Sequence, residues 1–269
     1  MIGVFDSGFG GLTVLRELVR VLPQHDFLYL GDNARAPYGS RSFETIHRYT
    51  LEAVQYLFAQ GCPLVILACN TASARALRTI QQNDLSSLAP ERRVLGVLRP
   101  AVERVGEETR TGHVGILGTQ GTIRSESYPL EIAHLWPKLV VSQQACPLWV
   151  PLVEQGEIDS EGARYFVRKD LRALLAQDPQ IDLVVLGCTH YPLLLDLVKS
   201  ELPASVRILD QGSVVAAKTV EYLQRHPEMD AKLIKQGRVT FLTTDSVEHF
   251  ETQATQFFGA NVKAQLVSL

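Results

Sequence analysis

The chain has 269 residues, a formal net charge of −3, 46% hydrophobic and 20% charged residues, and four cysteines. This balance is typical of a globular protein with one large or two smaller domains, and it lacks the basic surface that nucleic-acid binding requires. No apolar stretch reaches the roughly 20 residues of a membrane span, and four scattered cysteines do not make a disulfide framework. Because residues 2–6 already have a strand pattern, we expect no secretory leader and a cytoplasmic protein with free thiols.

Strand-like apolar runs alternate with amphipathic helices along the whole chain. This alternation favours an α/β fold with mostly parallel sheets. The patterns predict strands at residues 4–5, 27–30, 63–68, 113–118, 138–141, 181–187 and 238–242, and helices at residues 12–22, 44–58, 72–78, 161–176, 214–224 and 247–258.

The second half of the chain repeats the first. Gly3 and Gly115, at equivalent points of two strands, are 112 residues apart, and Cys69 and Cys188 are 119 apart. The similar offsets predict two related lobes. The elements after residue 210 are compatible with packing on either lobe.

Two cysteines follow predicted strands in closely similar settings. Cys69 and Cys188 each come after a buried-strand pattern, residues 63–68 and 181–187, and before small polar residues. Ligands of open α/β sheets bind at the carboxyl ends of the strands, where a helix N-terminus favours a thiolate. The sequence therefore predicts one thiol from each lobe facing a shared cleft. That arrangement suits removal of a proton from one face of a carbon and its return to the other face.

Polar side chains near these thiols are candidate partners in proton transfer. His190 lies two residues after Cys188, and Asp6 ends the first strand, beside the expected position of Cys69. Glu154 follows an apolar run, where burial would raise the pKa of a functional carboxylate, although a glutamate in this setting is more often a solvated helix residue. A single strand-end cysteine usually only packs, so the functional interpretation depends on the matched pair.

Hydroxyl and amide side chains also occur at the predicted strand-to-helix turns. Such turns combine side-chain donors with unpaired backbone N–H groups and suit carboxylates, although for each residue taken alone helix capping is the favoured role. Around two thiols, the set favours a small anionic ligand with more than one carboxylate. Its members are Ser7, Asn70, Thr71, Thr119, Thr122 and Thr189.

Signals for cofactors are weak. The turn at residues 6–11 contains G-x-G but not G-x-G-x-x-G, and G-K-[ST] does not occur. Cys188 and His190 have no second pair at metal-ligand spacing, and no lysine occupies an obvious Schiff-base position. We therefore expect neither a cofactor nor a metal, and we predict structural roles for Cys62 and Cys146, which lack a matched motif.

Several motifs together resemble those of glutamate racemases, within the aspartate/glutamate racemase superfamily. In aspartate racemases the second cysteine motif usually ends in Glu where this chain has His190, which favours glutamate. The chain departs from the usual pattern at Arg99, where the family commonly has Glu. The motifs are Asp6-Ser7-Gly8-x-Gly10-Gly11, Pro37-Tyr38-Gly39, Cys69-Asn70-Thr71-Ala72-Ser73-Ala74, Gly118-Thr119-x-x-Thr122 and Gly187-Cys188-Thr189-His190-Tyr191-Pro192.

This resemblance implies two similar α/β lobes with the active site in the cleft between them. Residues 1–98 and 210–269 would form the first lobe and residues 99–209 the second. The implied activity is cofactor-independent interconversion of L- and D-glutamate, which supplies D-glutamate for peptidoglycan synthesis, in a homodimeric protein.

The resemblance also implies roles for individual residues. Cys69 and Cys188 would be the two acid/base groups, with Asp6 assisting Cys69, and with His190 and Glu154 assisting Cys188. The carboxylates and ammonium of the substrate would be held by Asp6, Ser7, Tyr38, Gly39, Asn70, Thr71, Thr119, Thr122, Thr189 and His190.

Three other interpretations remain open at this stage. The same fold would serve an aspartate racemase, or an isomerase or decarboxylase that uses one thiol. A two-lobed, non-catalytic protein that binds acidic amino acids is a second alternative. Thiol–disulfide exchange or metal binding is a third.

Overall fold

The computed structural model describes residues 1–269 as an α/β protein with two sheets. The strands are β1 (Ile2–Asp6), β2 (Phe27–Gly31), β3 (Leu64–Leu67), β4 (Arg93–Gly96), β5 (His113–Gly118), β6 (Val140–Ala145), β7 (Leu183–Gly187), β8 (Arg207–Leu209), β9 (Val239–Thr243) and β10 (Ala264–Leu266). The first sheet has the order β10-β9-β2-β1-β3-β4 and the second the order β6-β5-β7-β8. Every strand pair is parallel, which confirms the predicted fold class.

Helices connect the strands and cover the sheets. They are α1 (Leu12–Val21), α2 (Phe43–Ala59), α3 (Asn70–Arg75), α4 (Leu77–Thr79), α5 (Leu85–Leu88), α6 (Leu98–Glu108), α7 (Gln120–Arg124), α8 (Ser127–Leu135), α9 (Trp149–Glu154), α10 (Glu161–Gln177), α11 (Leu195–Glu201), α12 (Gln211–Arg225), α13 (Pro227–Asp230) and α14 (Val247–Phe258). Short 3₁₀ helices occur at Asn33–Arg35 and Tyr191–Leu194, and a π-helical turn occurs at Ile80–Asp84. None of the helices combines the length and hydrophobicity that crossing a membrane requires.

The central strands β1, β3 and β7 are buried along their whole length, as expected for parallel strands covered on both faces. Their register determines which residues meet beyond the strand ends. Phe5 of β1 lies opposite Leu67 of β3, and Gly118 of β5 lies opposite Gly187 of β7. The residues that follow these strands therefore emerge side by side at the carboxyl edge of each sheet.

The chain crosses between the sheets in two helices that pack against each other, α6 after β4 and α12 after β8. Strands β9 and β10 then extend the first sheet beside β2. The closing elements thus belong to the first sheet, a choice that the sequence pattern had left open. The boundaries at residues 98/99 and 209/210 stay predictions. One apolar core cluster includes residues of both sheets.

Candidate active site

A cavity of about 200 Å³ lies where the carboxyl ends of the two sheets meet. Its walls carry small polar side chains from both lobes and three cysteines. The lining includes Ser7, Tyr38, Gly39, Cys69, Asn70, Thr71, Thr119, Cys146, Glu154, Cys188, Thr189 and His190. Pockets for drug-sized ligands are larger, about 300–1,000 Å³, so this volume suits a small metabolite.

Cys69 is the N-cap of α3, so its position follows from the end of β3. Its Sγ accepts a hydrogen bond from the backbone N–H of Ala72 at 3.4 Å and lies 3.4 Å from the hydroxyl of Ser7. Burial raises the pKa of the Cys69 thiol to about 12, and the charge of Asp6 acts in the same direction. Cys69 is therefore a thiol at neutral pH.

Asp6 lies behind the cavity wall and does not line it. One carboxylate oxygen accepts from the backbone N–H of Gly8 at 2.8 Å, and the other is 3.5 Å from the hydroxyl of Thr189 in the opposite lobe. Burial raises the pKa of Asp6. Asp6 is near Cys69 but makes no hydrogen bond to its sulfur, so its predicted assistance to Cys69 stays a prediction.

Cys188 follows β7 and begins a chain of polar contacts that runs through His190 to Glu154. Its Sγ is 4.0 Å from Nδ1 of His190, and Nε2 of His190 is 3.1 Å from a carboxylate oxygen of Glu154. Burial disfavours the charged imidazole, but the hydrogen bonds to Cys188 and Glu154 outweigh it and raise the pKa of His190 to about 10. His190 therefore presents a protonated imidazole to Cys188 at neutral pH.

The helix predicted directly after Cys188 is a 3₁₀ turn in the structure. Pro192 has no N–H to bond the carbonyl of Cys188 four residues earlier, and the N–H of Tyr191 donates to that carbonyl at 3.1 Å instead. The two cysteine turns therefore differ. Cys69 receives a helix N–H, whereas Cys188 faces an imidazole.

Three threonines join the lobes at one side of the cavity. The hydroxyl of Thr71 lies 3.0 Å from that of Thr119 and 3.5 Å from that of Thr122, and Thr119 donates to Thr122 at 3.1 Å. Thr119 caps α7 by accepting from the N–H of Thr122. Thr122 is fully buried and, like Asp6, does not line the cavity.

The loop after β2 forms another wall of the cavity, and a buried carboxylate anchors it. Asp32 accepts hydrogen bonds from the hydroxyl of Tyr38 at 2.5 Å, from Nε of Arg35 at 2.7 Å and from the hydroxyl of Thr244 at 2.9 Å. Burial, followed by the charge of Asp32, raises the pKa of Tyr38, so this phenol stays neutral. Gly39, next in the chain, packs against Thr119 of the second lobe.

Close contact between the lobes also depends on glycine at position 10. A Cβ atom on Gly10 would lie 2.2 Å from Oγ1 of Thr189 and 2.4 Å from Nδ1 of His190. The hydroxyl of Thr13, at the start of α1, donates to the carbonyl of Thr189 at 3.1 Å. The glycine-rich turn after β1 thus permits the turn after Cys188 to approach the first lobe, which the sequence pattern did not indicate.

The structure brings the sequence-predicted residues together around one cavity, with Asp6 and Thr122 directly behind its wall. It adds Cys146, whose thiol was predicted to be structural. Cys146 is buried in the cavity wall, and burial raises its pKa. No matched motif precedes Cys146, so the sequence offered no signal for this placement. Cys62 lies away from the cavity, against Gly3.

Two thiols in unlike environments permit a defined chemistry. One, Cys69, is protonated, and the other, Cys188, lies near an imidazolium. A carbon acid held between them would lose a proton to one sulfur and gain a proton from the other. Hydroxyl and backbone N–H donors from both lobes are available for anionic groups of such a ligand.

Sequence comparisons match the chain to one protein family. The profile of the Asp/Glu/Hydantoin racemase family matches residues 2–219. The glutamate racemase of Geobacter metallireducens is 41% identical over 261 residues, which covers 97% of this chain and 93% of that protein.

Solved structures give the same result. The structure of glutamate racemase isoform RacE1 from Bacillus anthracis has a TM-score of 0.90 and 35% identity, covering 100% of this chain and 97% of that one. The glutamate racemase of Francisella tularensis in complex with D-glutamate has a TM-score of 0.88 and 30% identity, covering 99% and 97%. The matched profile, the near-complete coverage and the shared two-lobed fold show that the chain belongs to the Asp/Glu/Hydantoin racemase family.

Proposed function

We propose that this protein interconverts L- and D-glutamate by moving the α-proton between Cys69 and Cys188 without a cofactor. The observation that carries the proposal is the pair of buried cysteines, one from each sheet, on the wall of a single small cavity. The relatives described above support glutamate as the substrate. They are glutamate racemases that align with this chain over nearly their whole length, and the structure of one of them was solved in complex with D-glutamate.

The two sulfurs take different roles because their surroundings differ. Cys69 starts as a thiol because burial disfavours its charged form. In the scheme that we propose, Cys188, whose Sγ is 4.0 Å from Nδ1 of His190, is the sulfur that acts as the base. The Cys188 thiolate takes the α-proton from one face of the substrate, and the Cys69 thiol gives its proton to the opposite face. Cys188 ends as the thiol and Cys69 as the thiolate, and exchange of protons with water after product release restores the starting state.

The cavity wall must also stabilise the carbanion that forms between these two transfers. As the α-proton leaves, negative charge moves onto the α-carboxylate. Ser7, Thr71, Thr119 and Thr189 present hydroxyl groups on the cavity wall. A single positioned acid or base contributes about 10²–10⁴-fold, so electrostatic stabilisation and orientation must supply the remainder.

The test is circular dichroism of L- and D-glutamate solutions with the purified protein and no added cofactor. Wild-type protein should drive both solutions to the racemic mixture. Cys69→Ser and Cys188→Ser should each abolish net racemisation, because a serine hydroxyl is a far weaker acid than a thiol. Cys62→Ser, which changes a cysteine away from the cavity, is the matched control. Appreciable racemisation by either active-site variant would overturn the two-thiol scheme.

Measurements of racemisation, CO₂ release and α-hydrogen exchange separate the alternatives. Racemisation of L-aspartate in place of L-glutamate would assign the protein to aspartate, and loss of carboxylate as CO₂ would indicate a decarboxylase. Tight binding of glutamate without exchange of its α-hydrogen in D₂O would indicate a binding protein. A role in supplying peptidoglycan synthesis, a cytoplasmic location and a homodimeric state stay predictions.

A further inference from the structure

A closed triangle of hydrogen bonds joins Asn70, which lines the cavity, to Tyr128 and Gln211, which have no role in the chemistry described above. The hydroxyl of Tyr128 donates to Oδ1 of Asn70 at 3.0 Å, Nδ2 of Asn70 donates to Oε1 of Gln211 at 2.8 Å, and Nε2 of Gln211 donates back to the hydroxyl of Tyr128. All three side chains are buried. Tyr128 and Gln211 do not line the cavity.

The triangle joins three separate parts of the chain. Asn70 directly follows Cys69 in the first lobe, and Tyr128 lies on α8, after β5 of the second sheet. Gln211 begins α12, the helix through which the chain returns to the first sheet. The three bonds therefore connect both sheets at a point where the chain crosses between them.

Tyr128 also contacts the other cysteine turn. A Cβ atom on Gly187, the residue before Cys188, would lie 3.2 Å from Cε2 of the Tyr128 ring, so the ring packs on the backbone from which Cys188 projects. One rigid aromatic side chain thus bonds the residue after Cys69 through its hydroxyl and supports the residue before Cys188 through its ring.

We propose that Tyr128 is a positioning residue that sets the spacing of the Cys69 and Cys188 sulfurs, and that Gln211 holds its hydroxyl in place. This inference rests on the proposed function, because the spacing matters only if both sulfurs act on one carbon. Each of the three side chains donates one hydrogen bond and accepts another within the triangle. None of them can therefore move alone without leaving a buried polar group unpaired. Small misplacements of reacting groups can reduce rates by about a hundredfold.

The test uses Tyr128→Phe, which keeps the ring and removes the hydroxyl, and Gln211→Met, which keeps the length of the side chain and removes its amide. Reactions start from L-glutamate and, separately, from D-glutamate in D₂O. Two rates are measured: inversion, by circular dichroism, and incorporation of deuterium into the enantiomer that has not inverted, by mass spectrometry after chiral separation. Tyr165→Phe, on the exposed face of α10, is the matched control.

Well-spaced sulfurs give inversion with little deuterium in the remaining substrate. When the second sulfur is misplaced, the first one exchanges its proton with solvent and returns a deuteron to the same face. We expect Tyr128→Phe and Gln211→Met each to lower kcat about tenfold or more and to raise the ratio of deuterium incorporation to inversion at least about threefold. The double variant should be no worse than the poorer single one, because both changes open the same triangle.

A merely structural role would reduce both rates together and leave their ratio at the wild-type value. An unchanged ratio in both variants, with inversion by the wild-type protein intact, would overturn this inference and leave the proposed function standing. Absence of inversion by the wild-type protein would overturn the proposed function and this inference with it.

Discussion

We predict that the hydrogen bond between His190 and Glu154 sets the upper pH limit of activity, and Glu154→Gln tests this prediction. Burial disfavours the protonated imidazole, yet its hydrogen bonds to Cys188 and Glu154 raise the pKa of His190 to about 10. Because the pKa of His190 is raised in the folded protein, protonation of His190 stabilises the fold. This stabilisation is complete below about pH 6.5, the ordinary histidine pKa, and is lost as the pH rises through about 10. Removing one of the two partners must move this limit toward neutral pH.

The size of the shift follows from the geometry of the pair. Nε2 of His190 lies 3.1 Å from the carboxylate of Glu154, whose side chain is 33% exposed. A hydrogen bond to a charged group contributes about 1.5–3 kcal/mol, and solvent screening at a partly exposed carboxylate favours the lower end. A loss of about 1.5 kcal/mol corresponds to about one pH unit. The alkaline limit of activity in Glu154→Gln should therefore lie about one pH unit below that of the wild type.

The assay is kcat/KM for both enantiomers of glutamate, measured by circular dichroism across the neutral and alkaline range. The ammonium group of the substrate titrates identically with every variant, so the difference between variants isolates the enzyme. Glu157→Gln, at an exposed carboxylate three residues along the chain, is the control and should behave as wild type. An alkaline limit that stays in place or moves upward in Glu154→Gln would refute the assignment of that limit to His190.

Two further predictions concern contacts that hold the cavity in shape. Gly10→Ala should lower kcat/KM at least about tenfold, measured with both enantiomers, because its Cβ would lie 2.2 Å from Oγ1 of Thr189 and separate the lobes; an unaffected rate would mean that the lobes need not approach so closely. Asp32→Asn should lower the free energy of unfolding by about 3 kcal/mol in urea titrations, because a buried carboxylate with three donors is lost; a change below about 1 kcal/mol would contradict this.

The sequence was most informative where apolar runs are long. The runs that end at Cys69 and Cys188 predicted β3 and β7, and the helix predicted at residues 247–258 has the same bounds in the structure. In these segments the apolar period and the cap residues agree. The two thiols could therefore be placed at strand ends before any coordinates were known.

Strands at the edges of the sheets gave no comparable signal. β4 begins with an exposed arginine, Arg93, and is buried at only two of its four positions, and it was not predicted. β6 was predicted at residues 138–141 but runs over Val140–Ala145, because its half-buried edge position accepts Ser142, Gln143 and Gln144. The local pattern of apolar residues indicates which segments are buried. Edge strands are buried too little for this pattern to identify them.

The arrangement between the lobes could not be read from local sequence. The triangle around Tyr128 depends on contacts between residues 58 or more apart in the chain, and the backbone of Cys146 is bonded to Gly118 and to the hydroxyl of Tyr191, which is 45 residues away. Asn70 shows the difference well. Its position after a strand predicted a residue at the site, but only the structure shows that its amide is already bonded to two partners from other elements.

The order of strands in the first sheet affects how the chain folds as it leaves the ribosome. All four strands of the second sheet lie within residues 113–209, so that sheet can assemble as soon as they have emerged. In the first sheet, β2 pairs with β1 on one side. Its other side stays unpaired until β9, more than 200 residues later in the chain, becomes available. Phe27, Leu28 and Tyr29 therefore remain open to pairing with other nascent chains during synthesis, and the half of the protein that is made first is completed last.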